Sequence, residues 1–530
     1  MSSRAFDRIA ARPHLAIALV STLAVLLCIV GALWVAPLPA VHDEFSYLLA
    51  ADTFANGRLS NPPHPMWVHF ESIHIIWQPV YASKYLPAQG LVLALGQSIT
   101  GHPIVGAWIS VAAACGAVVW MLQGWLPRRW ALLGGLLTAA HPYIVGGWGH
   151  GYWGGALAAT AGALVYGALP RLLGTQPQRN ALIFAFGLVL LAATRPFEGL
   201  LISAPACLWL LWQNRPGRGD AAQRKLRTSA KLMSSIAGVC IAGAALMLFY
   251  NFRLTGDCLK FPYQIHEETY AATPSLLWQD RSTPVQHRHQ TLRDFWNGWA
   301  AEAYTVAQTP SGFATILALK ARHLASHYTA TPIAVLLLFL PMTLWRSRRK
   351  LALVIIASSL LLVGIAQVSW IYTAHYIAPG LCLFVLLLLQ SARTLNCWQR
   401  HSLLSGRKLL RIIWATHIGL CLAQWPSFLE VPEWARERDR IERQLNGQPG
   451  RDLILVKYDN GHAHDPHAEW VYNDARIDDA EIIWARSMSA AEDARLLDYY
   501  RDRTHWLLHP DEVPIRLEED ERANPRAGDN

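Results

Sequence analysis

The chain is expected to fold as a polytopic α-helical membrane protein with about eleven transmembrane helices (range 10–13) and a small C-terminal α/β domain outside the membrane. Three observations lead there. Of its 530 residues 53% are hydrophobic and only 16% are charged, whereas a soluble protein is about a quarter charged. The apolar residues come in long blocks instead of alternating with polar ones. The Lys and Arg residues gather at every second turn between those blocks.

Arg4, Arg8 and Arg12 precede an apolar run over 15–35. The run is long enough to span and many others follow, so it reads as an uncleaved first helix and not as a signal peptide. Further spans are expected near 102–123, 131–146, 152–169, 181–194, 198–213, 232–250, 329–345, 349–368, 373–390 and 409–426. The apolar piece from Leu86 to Ile99 is too short to cross and suits an interfacial or re-entrant helix.

With the N-terminus inside, this pattern puts 22 Lys and Arg in the six inner segments and ten in the outer segments before residue 427. That is the positive-inside distribution. The formal net charge of +9 therefore serves topology and anionic lipid, not nucleic acid. Of the thirteen acids in residues 1–426, only Asp7 and Asp220 fall inside. Acids contribute little to topology, so an outer-face site is the natural cause of their clustering. The eight Cys are scattered without a CxxC pair and suggest neither a metal site nor a disulfide framework.

Two outer loops are long, 37–101 and 251–328, and structureless loops of that length are uncommon unless functional. The expected membrane region is 1–426. Residues 427–516 read as a soluble α/β domain, with helices over 433–445 and 490–500 and strands over 452–458, 481–485 and 505–509. Residues 517–530 read as a disordered tail.

Asp43-Glu44, within His42-Asp43-Glu44-Phe45-Ser46-Tyr47, is the sharpest chemical feature. Carboxylates just outside the hydrocarbon can act as a general base or hold a divalent cation against phosphate; the structural alternative is ordinary interfacial charge. His64, His69, Glu71 and His74 follow without a strong metal signature. Lys84-Tyr85 suits phosphate recognition or interfacial anchoring. Gly151-Tyr152-Trp153-Gly154-Gly155 offers close backbone approach with aromatics, for a sugar or for helix packing. Arg195-Pro196-Phe197-Glu198 is a charged break whose Arg either binds phosphate or pairs with Glu198. Arg253 and His375-Tyr376 lie at the same outer level. In the C-terminal domain, Lys457-Tyr458-Asp459, Glu469-Trp470-Val471-Tyr472-Asn473 and Trp484-Ala485-Arg486 read as either a glycan surface or a small-domain core.

These residues resemble the integral-membrane glycosyltransferases of the GT-C fold, the bacterial group that includes lipopolysaccharide-core transferases, the aminoarabinose transferase and protein O-mannosyltransferases. The likeness covers roughly 10–425 and rests on the 42–47 motif, Lys84-Tyr85-Leu86-Pro87, 151–155, 195–198, Tyr250-Asn251 with Thr255-Gly256, and His375-Tyr376 with Pro379. It implies a polyprenyl-phosphate-linked sugar donor and an envelope glycan, lipid or protein acceptor. It also implies a bacterial inner-membrane location with the C-terminal domain in the periplasm. Asp43 would be the base or metal-site acid and Glu44 its neighbour. Lys84, Arg195, Arg253 and His375 would hold the donor phosphate, and His42, Tyr85, Glu71, Tyr152, Trp153, Glu198 and Tyr376 would line the site. No organic cofactor is implied; a divalent cation such as Mg or Mn is an option, with Asp43 and Glu44 as its ligands. The implied reaction is a direct displacement with inversion. The rival readings are a transporter or flippase of a polyprenyl-linked substrate, which calls for mid-bilayer charges and an inverted repeat, and a non-catalytic envelope-assembly protein.

Overall fold

Inside lipid a backbone has no water to bond with, so each apolar block must satisfy its own N–H and C=O groups as helix. A computed structural model describes residues 3–172, 174, 176–213, 220–280, 285–328, 332–398, 405–459 and 464–520. Helices over Pro13–Trp34, Ile104–Trp125, Ala230–Thr255 and Ala374–Asn396 are long and apolar enough to cross a membrane, and a fifth crossing results if the bent pair Pro310–Tyr328 and Ile333–Ser347 is one broken span. The chain is a multi-pass membrane protein.

The other expected spans are helices, but shorter than the roughly 20 residues a bilayer needs. They run over Arg128–Ala139, Gly155–Leu172, Pro177–Ala192, Pro196–Gln213 and Gly406–Gln424. Pro and Gly punctuation sets their ends. The expected 131–146 span is two pieces, since a π-helix over Tyr143–Trp148 follows Arg128–Ala139. The expected inner turn at 346–350 is a kink at Ser347 within Leu340–Gln367. Residues 173, 175, 214–219 and 399–404 of the expected inner turns, and 329–331 of one expected span, lie outside the described residues.

Small residues let the helices approach closely. A Cβ on Gly162 would lie 1.9 Å from the carbonyl oxygen of Pro379, so the 155–172 helix packs backbone-to-backbone on the segment carrying His375. The apolar 86–99 piece is the helix Pro87–Thr100. It packs on the helix His42–Ala55, where Ala51 meets Leu93 and Ala94 in one buried cluster.

The C-terminal residues form a four-stranded sheet of β3 (Asp452–Val456), β4 (Ile482–Arg486), β5 (Thr504–His509) and β6 (Arg516–Glu519). The order is β4-β3-β5-β6. β3 is parallel to β4 and β5, and β6 is antiparallel to β5. The helices Glu433–Asn446 and Ala490–Tyr499 accompany it. The second begins with a capping box, Ser489 and Glu492 bonding each other's backbone N–H. β6 corrects the expectation of a disordered tail from 517: antiparallel pairing with β5 orders 516–519, and 521–530 lie outside the described residues.

This sheet does not stand apart from the first long loop, 37–101. Phe45, Leu49, Phe70 and Trp77 share one buried core with Leu453, Tyr472, Ile483 and Leu496. Phe45 stacks on Tyr472 at 4.2 Å between ring centres, the rings nearly parallel at 6°. Burying a Phe and losing it to Ala costs about 3–5 kcal/mol. Phe45→Ala should therefore lower the thermal unfolding midpoint in detergent and speed proteolysis between the membrane region and the sheet.

Candidate active site

The acids expected in a loop are in the first turn of the His42–Ala55 helix. The helix has no side-chain N-cap, and Asp43 and Glu44 complement the positive end of its dipole instead. Neighbours on a helix point about 100° apart, so the two carboxylates do different things.

Glu44 turns inward and is buried. The Ala40 N–H donates to Oε2 at 2.9 Å and the Tyr152 N–H donates to Oε1 at 2.9 Å. A Cβ on Gly151 would sit 2.5 Å from that same Oε1, which explains the glycine before Tyr152. Burial pushes the Glu44 carboxyl up to about 7, and the charge of Asp43 adds to the rise, against the two backbone donors. Glu44 thus staples the entrance of the helix to the glycine-rich segment.

Asp43 faces the other way. The Tyr85 hydroxyl donates to its Oδ1, and Nε2 of His74 is 3.7 Å from Oδ2. His74 has a left-handed φ of 67°, uncommon and strained for a residue with a Cβ. Its carbonyl accepts from the Ser46 hydroxyl at 2.8 Å and from the Lys84 N–H at 3.3 Å. Those bonds hold it where β1 (Ile75–Ile76) pairs antiparallel with β2 (Ala82–Ser83). Burial keeps the His74 imidazole neutral, well below its usual range.

Lys84 follows β2. Its ammonium lies 5.2 Å from the Tyr85 ring centre and 5.6 Å from that of Trp296, and among the described residues it makes no hydrogen bond or ion pair. Burial lowers Lys84 to about 8, with Asp43 and Glu267 opposing the fall. Tyr85 stacks on Tyr47 at 4.4 Å, and Tyr47 lies one turn after Asp43 on the same helix face. Arg195 packs 4.6 Å over the Tyr376 ring and 4.0 Å from Glu198. The His375 ring meets Trp153 at 4.8 Å. Asp43, Tyr85, Lys84, Arg195 and Tyr376 therefore form one polar cluster, with Trp153, Tyr152, His375 and Glu198 around it.

Three expected site residues are elsewhere. Arg253 is exposed, one turn beyond Tyr250, whose hydroxyl donates to the Tyr85 carbonyl at 3.3 Å. Glu71 accepts from the Tyr270 hydroxyl at 2.9 Å and lies 3.4 Å from Nε2 of His289, pinning the two long loops together. His42 is hydrogen-bonded to the Tyr472 hydroxyl at 2.9 Å, an anchor to the sheet domain. Tyr47, named in the sequence only as the end of the 42–47 motif, and Trp296 were given no role there. The helical spacing from Asp43 pointed to Tyr47; no sequence signal pointed to Trp296.

A divalent cation shared by Asp43 and Glu44 does not fit this geometry. Both Glu44 oxygens accept backbone N–H groups, and one Asp43 oxygen accepts the Tyr85 hydroxyl. Among the described residues, no group of three or more His, Cys, Asp and Glu is arranged to hold a metal ion.

Compared with protein-family models and with curated proteins, the chain matches none. Solved structures do match it. ArnT from Cupriavidus metallidurans, bound to undecaprenyl phosphate, aligns with a TM-score of 0.50 at 13% identity, over 93% of this chain and 92% of that one. The Archaeoglobus fulgidus oligosaccharyltransferase aligns with a TM-score of 0.47 at 12% identity, over 84% of this chain. This chain spans 62% of its length. Arabinofuranosyltransferase AftD from Mycobacteria aligns with a TM-score of 0.40 at 13% identity, over 93% of this chain and 35% of that one. The end-to-end match to ArnT carries the assignment, and it is one of fold: the chain has the GT-C fold.

Two outcomes follow from the Glu44 staple. Gly151→Ala should displace Glu44 and lower the unfolding midpoint, with Gly154→Ala, whose Cβ would meet only ordinary contacts at 3.6 Å, as the milder control. A carboxyl raised from 4.5 to about 7 on folding binds more protons folded than unfolded between those values, so its contribution to stability falls as pH rises through that window. Thermal unfolding of the wild type relative to Glu44→Gln should show the wild type's margin larger at pH 5 than at pH 8.

Proposed function

We propose that this protein is a glycosyltransferase that moves a sugar from a polyprenyl-phosphate-linked donor to an envelope acceptor. The reading includes a bacterial inner-membrane location, an eleven-span topology with the N-terminus cytoplasmic, and chemistry on the periplasmic face. The supporting observation is the juxtaposition of Asp43 with Lys84, a cation without a hydrogen-bonding partner among the described residues. Together they provide a base and a position suited to an anion. The GT-C fold agrees with that use of the site.

The acceptor hydroxyl or amine approaches the Oδ2 edge of Asp43, which takes its proton as the new bond forms at the anomeric carbon. The bond from that carbon to the donor phosphate oxygen breaks, and the sugar inverts. Lys84 and Arg195 receive the charge that develops on the leaving phosphate. The Tyr85 hydroxyl fixes the Asp43 carboxylate so that little reorientation is needed at the moment of reaction. Neutral His74 keeps a polar, uncharged wall beside the base. Arg253 stands farther out, where it can meet a donor phosphate only on approach.

Transfer should be measured in membranes or nanodiscs supplied with lipid-linked donor, with products read by mass analysis of lipopolysaccharide, other envelope glycans and glycoproteins. Asp43→Asn is nearly isosteric and should cost about 10²–10⁴-fold in kcat; full activity in that variant would rule out the mechanism. Donor kcat/KM should fall as pH rises past about 8, where the free protein's Lys84 loses its proton. Lys84→Arg should remove that fall, since a guanidinium stays charged.

A further inference from the structure

The sheet domain brings to the Asp43 cluster one residue that the transfer mechanism above does not use. His467 lies between β3 and β4, five residues ahead of Tyr472. Its backbone is held on both sides. Asp465 forms a turn, its Oδ1 accepting the His467 N–H at 2.9 Å and its carbonyl accepting the Ala468 N–H at 2.9 Å, a common use of Asp in loops. Glu469 is fully buried, accepting from Arg486 at 2.6 Å and from the Val471 N–H at 3.0 Å.

The ring is fixed by other rings. It stacks on His42 at 5.8 Å, meets Trp299 edge-on at 4.6 Å and lies 5.8 Å from Phe295. His42 precedes Asp43 on the same helix, and Phe295 packs 5.7 Å from His74, which is 3.7 Å from Asp43. The imidazole thus stands next to the rings that border the base.

Its nitrogens are unspent. The other histidines of this junction bond neighbours: His42 to the Tyr472 hydroxyl, His64 to Asp478, His69 to the Arg486 carbonyl and His289 to the Val68 carbonyl. Neither ring nitrogen of His467 makes a hydrogen bond or ion pair among the described residues. His266 is also unbonded, but it is 1% exposed and its nitrogens are closed off, whereas His467 is half-buried. Burial lowers His467 below its usual range, with Asp465 and Asp43 opposing the fall. Near pH 7 it is therefore a neutral imidazole, one nitrogen a donor and the other an acceptor.

The two sides of Asp43 differ. Arg195 and Tyr376 come from breaks between membrane-region helices, the level at which a lipid-linked phosphate must stay. His467 comes from the sheet domain, and Trp299 from the second long loop. A displacement with inversion needs the incoming oxygen opposite the leaving phosphate, so the sheet-domain side belongs to the acceptor. A serine or threonine side chain offers one hydroxyl, which Asp43 takes. A sugar ring offers a second hydroxyl beside the first, and a neutral imidazole can both give to it and accept from it.

We infer that His467 is an acceptor-binding residue and that the acceptor is a saccharide, one hydroxyl attacking from Asp43 while the neighbouring hydroxyl is held by the His467 imidazole. This rests on the proposed transferase reading and names its acceptor class. A site built to bond a hydroxyl discriminates against acceptors that lack it.

The test is transfer in nanodiscs from lipid-linked donor to lipopolysaccharide, to delipidated envelope glycan and to envelope protein, supplied as separate acceptors and read by mass analysis. The sugar should enter a saccharide acceptor. His467→Phe keeps a ring against His42 and Trp299 but removes both nitrogens. It should raise the acceptor KM about tenfold, the size of one lost hydrogen bond, with the donor KM and the thermal unfolding midpoint unchanged. His467→Gln, whose amide also donates and accepts, should recover much of the loss. Transfer to protein alone, an unchanged acceptor KM in His467→Phe, an equal rise in donor KM, or a Gln variant no better than Phe would each overturn this inference and leave the transferase reading standing. No transfer by the wild type to any of the three would overturn both.

Discussion

The carboxylate of Glu44 holds together two segments that the sequence keeps far apart. One oxygen takes the N–H of Ala40, where the chain enters the His42–Ala55 helix. The other takes the N–H of Tyr152, beside the glycine that leaves room for it. The first bond fixes where the chain enters the helix, and the second ties that entrance to the glycine-rich segment ahead of the helix Gly155–Leu172. Asp43 inherits its position from both. A carboxylate buried without such donors would stay protonated and leave two backbone N–H groups bare. The dependence runs both ways: the acid needs the amides, and the amides need the acid.

Around that staple, each other site group is set by a different element. Tyr85 and Lys84 follow a two-stranded ribbon, His74 sits on the strained turn that leads into it, Arg195 lies at a break between helices, and Trp296 comes from the second long loop. A cluster drawn from so many elements keeps its geometry only if they are rigidly joined. The Tyr47–Tyr85 stack, the Ser46 bond to the His74 carbonyl and the Tyr250 bond to the Tyr85 carbonyl supply the joints.

Much of this was legible in the sequence because the signals were local. Apolar blocks marked the helices. The Leu, Ile and Val run marked β3, and 490–500 read as the last helix. The acids at 43 and 44 stood out for their distance from a span. What was not legible depended on direction or on remote partners. Adjacent acids do not announce that one turns inward, and nothing near Glu71 says that it faces Tyr270 and His289. Blocks of apolar residues show where helices form, but not that Gly, Pro and a kink at Ser347 leave several too short to cross by length alone. The aromatic runs of the sheet domain divided as only packing could decide. Trp470, Tyr472 and Trp484 went to the core, and Tyr458 and Arg486 to a cleft wall.

The core shared by Phe45 and the C-terminal sheet has a consequence for synthesis. His42 and its partner Tyr472 are 430 residues apart. At about 5–20 residues per second, the ribosome needs roughly 20–90 s to supply the second after the first. For that interval Phe45, Phe70 and Trp77 have no sheet to cover them, while the helices between are already being made. The earliest folded-looking part of the chain is thus among the last to be finished, and a chain interrupted before the sheet would leave that apolar surface open to holdases and proteases.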